Sequence, residues 1–185
     1  MGIGEFRSHT QTDGSFDFVG WATSRRLDLN QIRNVIAKES HQTLVTSKEV
    51  LQYLCKSILA KGNQLDLKSL ERLKSAVSVL GKGSDQNPRK LQALFKAADE
   101  AIYSVEKKKL FEMTQKIEDH KPVNNDTFCH LLADVAKRLT KTEKEQVAQV
   151  LISSKIVKSL FQINTKDKIE VLKALSNEIS KQLYG

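Results

Sequence analysis

The sequence predicts an all-α protein in which helical hairpins of about 38 residues stack in tandem as a short α-solenoid. The 185-residue chain contains only two prolines and eight glycines, which favours long helices joined by short turns over a barrel or sandwich. Residues 27–36 and 65–74 read LDLNQIRNVI and LDLKSLERLK, a recurrence at a shift of 38 residues. A single hairpin cannot bury both of its faces, so neighbouring hairpins must stack.

A second correspondence relates the two halves of the chain. Residues 47–103 match residues 124–180 without a gap at a shift of 77 residues, close to two units of 38. We therefore interpret residues 16–185 as a single helical-repeat domain with this internal duplication. Residues 1–15 are polar and contain glycine, which predicts a disordered leader. Amphipathic helices can also align through their apolar period alone, and this alternative stays open.

The first two helices are indicated by an apolar segment followed by a capping residue. Residues 16–24 form the first apolar stretch, and its Trp21 is expected to lie in the core. Asp28 or Asn30 can accept hydrogen bonds from the first turn of the next helix. That helix is expected to run to about Ser40, before a turn.

The next two helices have sharper boundaries in the sequence. Ser47 is a suitable cap for the third helix, whose apolar residues recur at i, i+3, i+4 and i+7. Gly62 is expected to end that helix in a left-handed conformation. Asp66 is expected to cap the fourth helix, and a glycine-containing turn at residues 81–84 to close it.

The helical pattern continues through the second half of the chain. Pro88 lies in the first turn of a fifth helix, where its missing N–H costs no hydrogen bond. Asn124 or Asn125 can cap the next helix, and Thr142 is expected to begin another. A final helix is expected over residues 167–183. Its core-facing residues are expected to be Ile169, Leu172, Leu175 and Ile179.

Basic residues are the main functional signal of the sequence. Thirty Lys and Arg against 22 Asp and Glu give a formal net charge of +8, which favours an anionic partner such as RNA, DNA or a membrane surface. If the inter-helix turns align along one edge of a solenoid, the basic residues near them form a groove for phosphates. A solvated, lysine-rich surface without a ligand explains the same composition. The candidate nucleic-acid-binding residues are Arg25, Arg26, Lys61, Arg89, Lys90, Lys107, Lys108, Lys109, Lys137, Arg138, Lys141 and Lys144.

Aromatic residues that can stack on nucleobases are few. The candidates are Tyr53, Tyr103 and Tyr184. They are too sparse to argue for base-specific recognition. The sequence therefore favours contacts with the phosphate backbone.

Neither catalytic nor metal-binding patterns accompany this charge. The sequence lacks GxxxxGK[ST], GxGxxG, HExxH and GxSxG, so no enzyme activity, cofactor or small-molecule substrate is expected. His130 follows Cys129 directly, and adjacent residues point to different faces of a helix, so no metal site is expected. Cys55 and Cys129 lie in apolar helical patterns, which indicates buried free thiols in a reducing intracellular compartment. No run approaches the ~20 apolar residues that a membrane span needs.

The first helices of the hairpins carry a family resemblance. They read SKEVLQYLCKSILAKGN at residues 47–63 and NNDTFCHLLADVAKRLT at residues 124–140. In hairpins of roughly 37–40 residues, this pattern resembles the heptatricopeptide and octotricopeptide repeats of organelle RNA-binding proteins, including those with a RAP domain. The resemblance covers residues 16–180 in period and apolar pattern. It implies an α-solenoid that binds organelle transcripts or ribosomal RNA without catalysis, although no RAP domain is visible in this chain.

Two functions follow as hypotheses. The first is a non-catalytic RNA-binding repeat module, in a mitochondrion or related organelle, that acts through a basic edge. The second is a protein–protein interaction scaffold or structural subunit of a larger assembly, such as a ribosome. The scaffold hypothesis predicts an exposed apolar patch and little salt-dependent RNA binding.

Overall fold

The computed structural model describes residues 15–82, 88–154 and 165–184. Within these ranges the regular structure consists of eight α-helices and two 3₁₀ turns, with no β-strand, which confirms the all-α prediction. The predicted leader lies outside the described residues except for Ser15. The α-helices are α1 (Phe18–Thr23), α2 (Leu29–Ser40), α3 (Ser47–Lys61), α4 (Leu67–Lys82), α5 (Pro88–Glu118), α6 (Asn125–Val135), α7 (Lys141–Ser153) and α8 (Thr165–Tyr184).

The chain forms two compact units, residues 1–105 and residues 106–185, and the boundary between them falls inside the long helix α5. The helix α5 is continuous over 31 residues. Among the described helices, none combines the length and the apolarity that crossing a bilayer requires. The single helical-repeat domain over residues 16–185 stays a prediction.

The core of the first unit is built around α1, α3 and α4. Trp21 is fully buried, as expected, and its indole Nε1 donates to the carbonyl oxygen of Asp28 at 3.1 Å. Arg72 on α4 donates to the carbonyl oxygens of Thr23 and Ser24, where α1 ends. Because a helix terminus leaves carbonyl groups without partners, this arginine fixes the short α1 against α4. Arg72 therefore stabilises the fold.

The starts of the helices are set by local side-chain caps. Asp28, Asp66 and Asn124 accept hydrogen bonds from first-turn N–H groups, as predicted. The prediction that Ser47 caps α3 is wrong, because Thr46 is the cap. The Thr46 hydroxyl accepts from the N–H of Glu49 at 3.4 Å, and the Glu49 carboxylate accepts from the N–H of Thr46 at 3.3 Å. Only the residue three positions before Glu49 can complete this reciprocal capping box.

A second capping box fixes the start of α7. The Thr140 hydroxyl accepts from the N–H of Glu143 at 3.2 Å, and the Glu143 carboxylate accepts from the N–H of Thr140 at 2.9 Å. The prediction that Thr142 begins this helix is therefore wrong by one residue, since α7 begins at Lys141. Both boxes satisfy N–H groups that a helix leaves unpaired at its start.

Gly62 does not have the left-handed conformation that the sequence predicts. Its φ of −59° and ψ of −29° are right-handed helical, and it begins the 3₁₀ turn Gly62–Gln64. A Cβ atom at this position would lie 2.7 Å from Cγ2 of Val105 and 3.3 Å from Cγ2 of Ile58. Glycine is therefore required here by the close approach of a neighbouring side chain, and not by the backbone conformation.

The two 3₁₀ turns, Gly62–Gln64 and Ala136–Arg138, have the same local structure. Each is closed by the N–H of a buried leucine, Leu65 or Leu139, bonded to the carbonyl of the first turn residue at 3.0 and 3.3 Å. The turns correspond at a shift of 74 residues, from position 62 to position 136, whereas the ungapped sequence match is at 77. Aligning them therefore needs a three-residue gap. The internal duplication of residues 47–103 and 124–180 stays a prediction.

In the second unit, α8 packs against α6, α7 and the second 3₁₀ turn. Its buried residues are Asp167, Val171, Leu175 and Glu178. Leu175 was expected in the core, but Ile169 is 45% exposed and that prediction is wrong; Leu172 and Ile179 are half-buried. Asp167 and Ile169 lie about 200° apart around the helix. The Asp167 carboxylate faces His130 on α6, with Oδ2 3.5 Å from Nδ1, and Ile169 lies on the opposite side of α8.

Candidate nucleic-acid interface

The basic residues proposed from the first unit lie on three separate elements. Arg25 and Arg26 follow α1 and are exposed, and Lys61 is half-buried at the end of α3. Arg89 is exposed in the first turn of α5, while the side chain of Lys90 lies outside the described part of the structure. Whether these residues form one basic edge in the first unit stays a prediction.

Consecutive lysines on α5 point in different directions around the helix. Lys107 is half-buried, and its Nζ lies 3.0 Å from Oε2 of Glu143, in the first turn of α7. The pKa of Glu143 is lowered, first by the hydrogen bond from the N–H of Thr140 and then by Lys107, while partial burial opposes the shift. Lys107 therefore supports the start of α7. Lys108 is exposed and Lys109 is half-buried.

Four of the predicted residues lie on the second 3₁₀ turn and in the first turn of α7, within eight positions of the chain. Lys137, Arg138 and Lys141 are exposed, and Lys144 is half-buried. Lys137 also reaches α8, where its Nζ lies 2.5 Å from Oε2 of Glu170. The structure thereby joins the turn to a helix that sequence reasoning did not include in the site.

Glu170 marks the centre of a basic cluster on α8. Its pKa is lowered, first by the hydrogen bond that Lys137 donates, with the charges of Lys137, Lys173 and Lys166 acting in the same direction. Both Lys166 and Lys173 are exposed. Several ammonium groups thus lie near one carboxylate, which leaves a local excess of positive charge.

The cluster extends along the whole of α8. Residues 166, 170, 173, 177, 181 and 184 fall within an arc of about 80° at ~100° per residue, and the row is about 27 Å long at 1.5 Å per residue. We call this row, together with Lys137, the α8 basic stripe; its members are Lys137, Lys166, Glu170, Lys173, Asn177, Lys181 and Tyr184. Four lysines and one glutamate give the stripe a net charge of +3. All members are exposed except Glu170, which is half-buried.

Sequence reasoning missed Lys166, Lys173 and Lys181 because it looked for charge near the inter-helix turns. Their spacing of seven and eight residues is the helical period applied to polar residues, and this signal is present in the sequence. The position of Lys137 beside Glu170 comes from the packing of α8 against the turn, which the sequence does not show.

The three candidate stacking tyrosines differ in their exposure. Tyr53 is half-buried beside the ring of Phe16, with ring centroids 6.3 Å apart, and burial is the main cause of its raised pKa. Tyr103 is also half-buried. Tyr184 is 88% exposed and belongs to the α8 basic stripe. Of the three, Tyr184 is therefore the one whose ring is open to a nucleobase.

Cys129 and the adjacent His130 do not form a nucleophilic pair in this geometry. Cys129 is fully buried, and its pKa is raised first by burial and then by the carboxylates of Asp167 and Asp126. A thiol in such surroundings stays protonated and unreactive. His130 instead faces two carboxylates, Asp167 at 3.5 Å and Asp134 at 3.8 Å. The contact with Asp167 joins α6 to α8, and the contact with Asp134 lies within α6, so both serve the fold.

Comparisons with known proteins found no matching family model, no similar curated protein and no similar solved structure.

Proposed function

We propose that this protein is a non-catalytic RNA-binding protein and that the α8 basic stripe contacts the RNA phosphate backbone. The observation that carries the proposal is the gathering of Lys137, Lys166 and Lys173 around the single carboxylate of Glu170. Phosphate contacts by lysine release counterions from the nucleic acid, which is the main source of sequence-independent affinity. A long row of exposed ammonium groups suits a polyanion better than it suits a small ligand.

The predicted residues near the second 3₁₀ turn extend this surface. Arg138 and Lys141 are exposed one and four positions after Lys137, so an RNA strand on the α8 basic stripe can also reach the start of α7. The stacked tandem-repeat architecture belongs to the same proposal, and the recurrences at 38 and 77 residues support it. An intracellular reducing compartment, such as a mitochondrion or related organelle, is also part of the proposal. The free thiols of Cys55 and Cys129 support it.

A charge-matched pair of variants tests the proposal. The first combines Lys137→Gln, Lys166→Gln and Lys173→Gln. The control combines Lys38→Gln, Lys48→Gln and Lys56→Gln, three exposed lysines of the first unit. Both variants lose three positive charges, so a difference in RNA affinity measures the location of the charge and not its total.

We expect the α8 variant to bind single-stranded RNA at least about tenfold more weakly at low salt, with the slope of log K against log salt reduced by about 2. The control should lose about threefold or less. Far-UV circular dichroism of both variants checks that they are folded. Equal losses in the two variants would contradict the assignment of the site to α8.

A protein–protein interaction scaffold, or structural subunit of a larger complex, is the second candidate. Three large apolar side chains of the first unit are mostly exposed: Leu44 at 78%, Leu59 at 64% and Val79 at 65%. Exposed apolar side chains that gather in one patch mark protein interfaces. This candidate predicts that the partner is retained at high salt and that the lysine variants bind it normally.

A further inference from the structure

The α8 basic stripe ends in an exposed aromatic ring. Tyr184 follows Lys181 by three residues, a spacing that places both on the same side of a helix. Its side chain is 88% exposed, and no ring contact to it occurs among the described residues. Cationic side chains that lead to an open aromatic ring match the two needs of an unpaired nucleotide, phosphate neutralisation and base stacking.

We propose that the α8 basic stripe binds single-stranded RNA, with its phosphates on the lysines and an unpaired base stacked on the ring of Tyr184. This inference rests on the proposed function and adds the class of RNA to it. In a duplex the bases are already stacked on one another, and the major groove of A-form RNA is too deep and narrow for side chains to enter. A duplex can therefore use the lysines but not the ring.

Two polar side chains beside the lysines fit the same ligand. Asn177 lies between Lys173 and Lys181 on the stripe, and Ser180 is exposed next to it. An amide and a hydroxyl can bond to phosphate, to a ribose 2′-hydroxyl or to the edge of an unstacked base. None of these contacts selects one base strongly, so we expect broad tolerance of sequence.

The other polyanion that a basic amphipathic helix can meet is an anionic lipid surface. That mode inserts the apolar face of the helix into the bilayer. On α8 most of this face is already used, because Val171 and Leu175 are buried in the second unit, where α8 packs on α6 and α7, and this leaves Ile169 and Leu183 as its exposed large aliphatic side chains. The observations therefore favour RNA.

Fluorescence anisotropy with three labelled 12-nucleotide probes tests the inference. The probes are a mixed-sequence single strand, the same sequence as a duplex, and a single strand that is abasic at all of its positions. Tyr184→Leu keeps an apolar side chain but removes the ring, and Tyr184→Phe is the matched control that keeps the ring. Vesicles containing phosphatidylserine, with the wild-type chain, form a further arm.

The wild-type chain should bind the single strand at least about tenfold more tightly than the duplex. Tyr184→Leu should weaken single-strand binding by about fivefold or more, since stacking contributes at least that factor per base. Tyr184→Phe should stay within about twofold. The abasic strand should bind Tyr184→Leu and wild type equally, because it offers no base to stack.

Equal affinity for duplex and single strand, or a Tyr184→Leu variant that binds the single strand normally, would overturn the inference while the proposed RNA-binding function stands. No binding to any RNA probe, with or without vesicle binding, would overturn both.

Discussion

Gly62 offers a sharp test of the packing in the first unit. It is buried at the end of α3 and has a right-handed helical backbone that alanine adopts without strain. By backbone conformation alone, Gly62→Ala should stabilise the protein by about 0.4–1 kcal/mol, because alanine has less conformational freedom in the unfolded chain. The side-chain contacts predict the opposite sign.

The added Cβ atom would lie 2.7 Å from Cγ2 of Val105, well inside the ~3.5–4.0 Å at which carbon atoms attract. Val105 is itself buried, and a β-branched side chain in a helix has one strongly preferred rotamer, so it cannot turn away cheaply. Overpacking of this kind costs about 1–3 kcal/mol. Because this cost exceeds the gain in the unfolded state, Gly62→Ala should destabilise the protein by about 1–2 kcal/mol.

Urea unfolding followed by tryptophan fluorescence measures this cost, since the only tryptophan of the chain, Trp21, lies in the core of the same unit. Val105→Ala removes the atom that the new methyl meets. In that background Gly62→Ala should become neutral or stabilising, a coupling of about 1–2 kcal/mol. Gln64→Ala, at an exposed position of the same turn, should change stability by less than about 0.5 kcal/mol. A Gly62→Ala variant as stable as wild type, or one equally costly in both backgrounds, would refute the reasoning.

Three further predictions concern the thiols, the α7 cap and the α8 basic stripe. In the native protein, half-buried Cys55 should react with a thiol reagent while buried Cys129 reacts only after unfolding; two fast thiols would contradict this. Thr140→Ala should cost about 1 kcal/mol in urea unfolding followed by circular dichroism at pH 7. Because the pKa of Glu143 is lowered in the folded protein, the stability that its carboxylate contributes is present above the unfolded pKa of about 4.3. That stability is lost as the pH falls through the folded pKa. Glu143→Gln should therefore be costly at pH 7 and nearly neutral near pH 3. Glu170→Gln removes the carboxylate at the centre of the stripe and should tighten RNA binding about two- to fivefold at low salt; unchanged affinity in an anisotropy titration would argue against RNA at this position.

The parts of the fold that could be predicted from the sequence are those fixed by local chemistry. Asp66 was identified as a helix cap, and Asp28 and Asn124 were cap candidates beside Asn30 and Asn125, because a short acceptor side chain beside an apolar stripe bonds to the next turn wherever that helix packs. Thr46 and Ser47 both carry hydroxyls that can cap α3. The choice between them depends on the spacing to Glu49, which is three residues from Thr46, as a capping box requires.

The errors arise where distant residues decide the outcome. Gly62 was interpreted as a left-handed helix end, but glycine is required there by the close approach of Val105, 43 positions along the chain. The buried face of α8 was partly misplaced: Ile169 is exposed, whereas Asp167 is buried and its carboxylate contacts His130 on α6. No pattern within α8 reveals such a partner.

The candidate site was also predictable from the sequence only in part. The charge around Lys137 was visible in the sequence, because four basic residues lie within eight positions. Its continuation onto α8 required the structure, since the contact from Lys137 to Glu170 spans 33 positions. The role of the site in RNA binding stays a proposal that measurement must test.

The most direct test is an anisotropy titration of the wild-type chain with mixed-sequence single-stranded RNA at 50 and 200 mM salt. We predict a micromolar or tighter Kd at the lower concentration. With about four phosphate contacts and a slope of −0.7 for each, the affinity should fall about fiftyfold at the higher concentration. No binding at 50 mM salt, or an affinity that salt does not change, would contradict the account and favour the protein–protein scaffold.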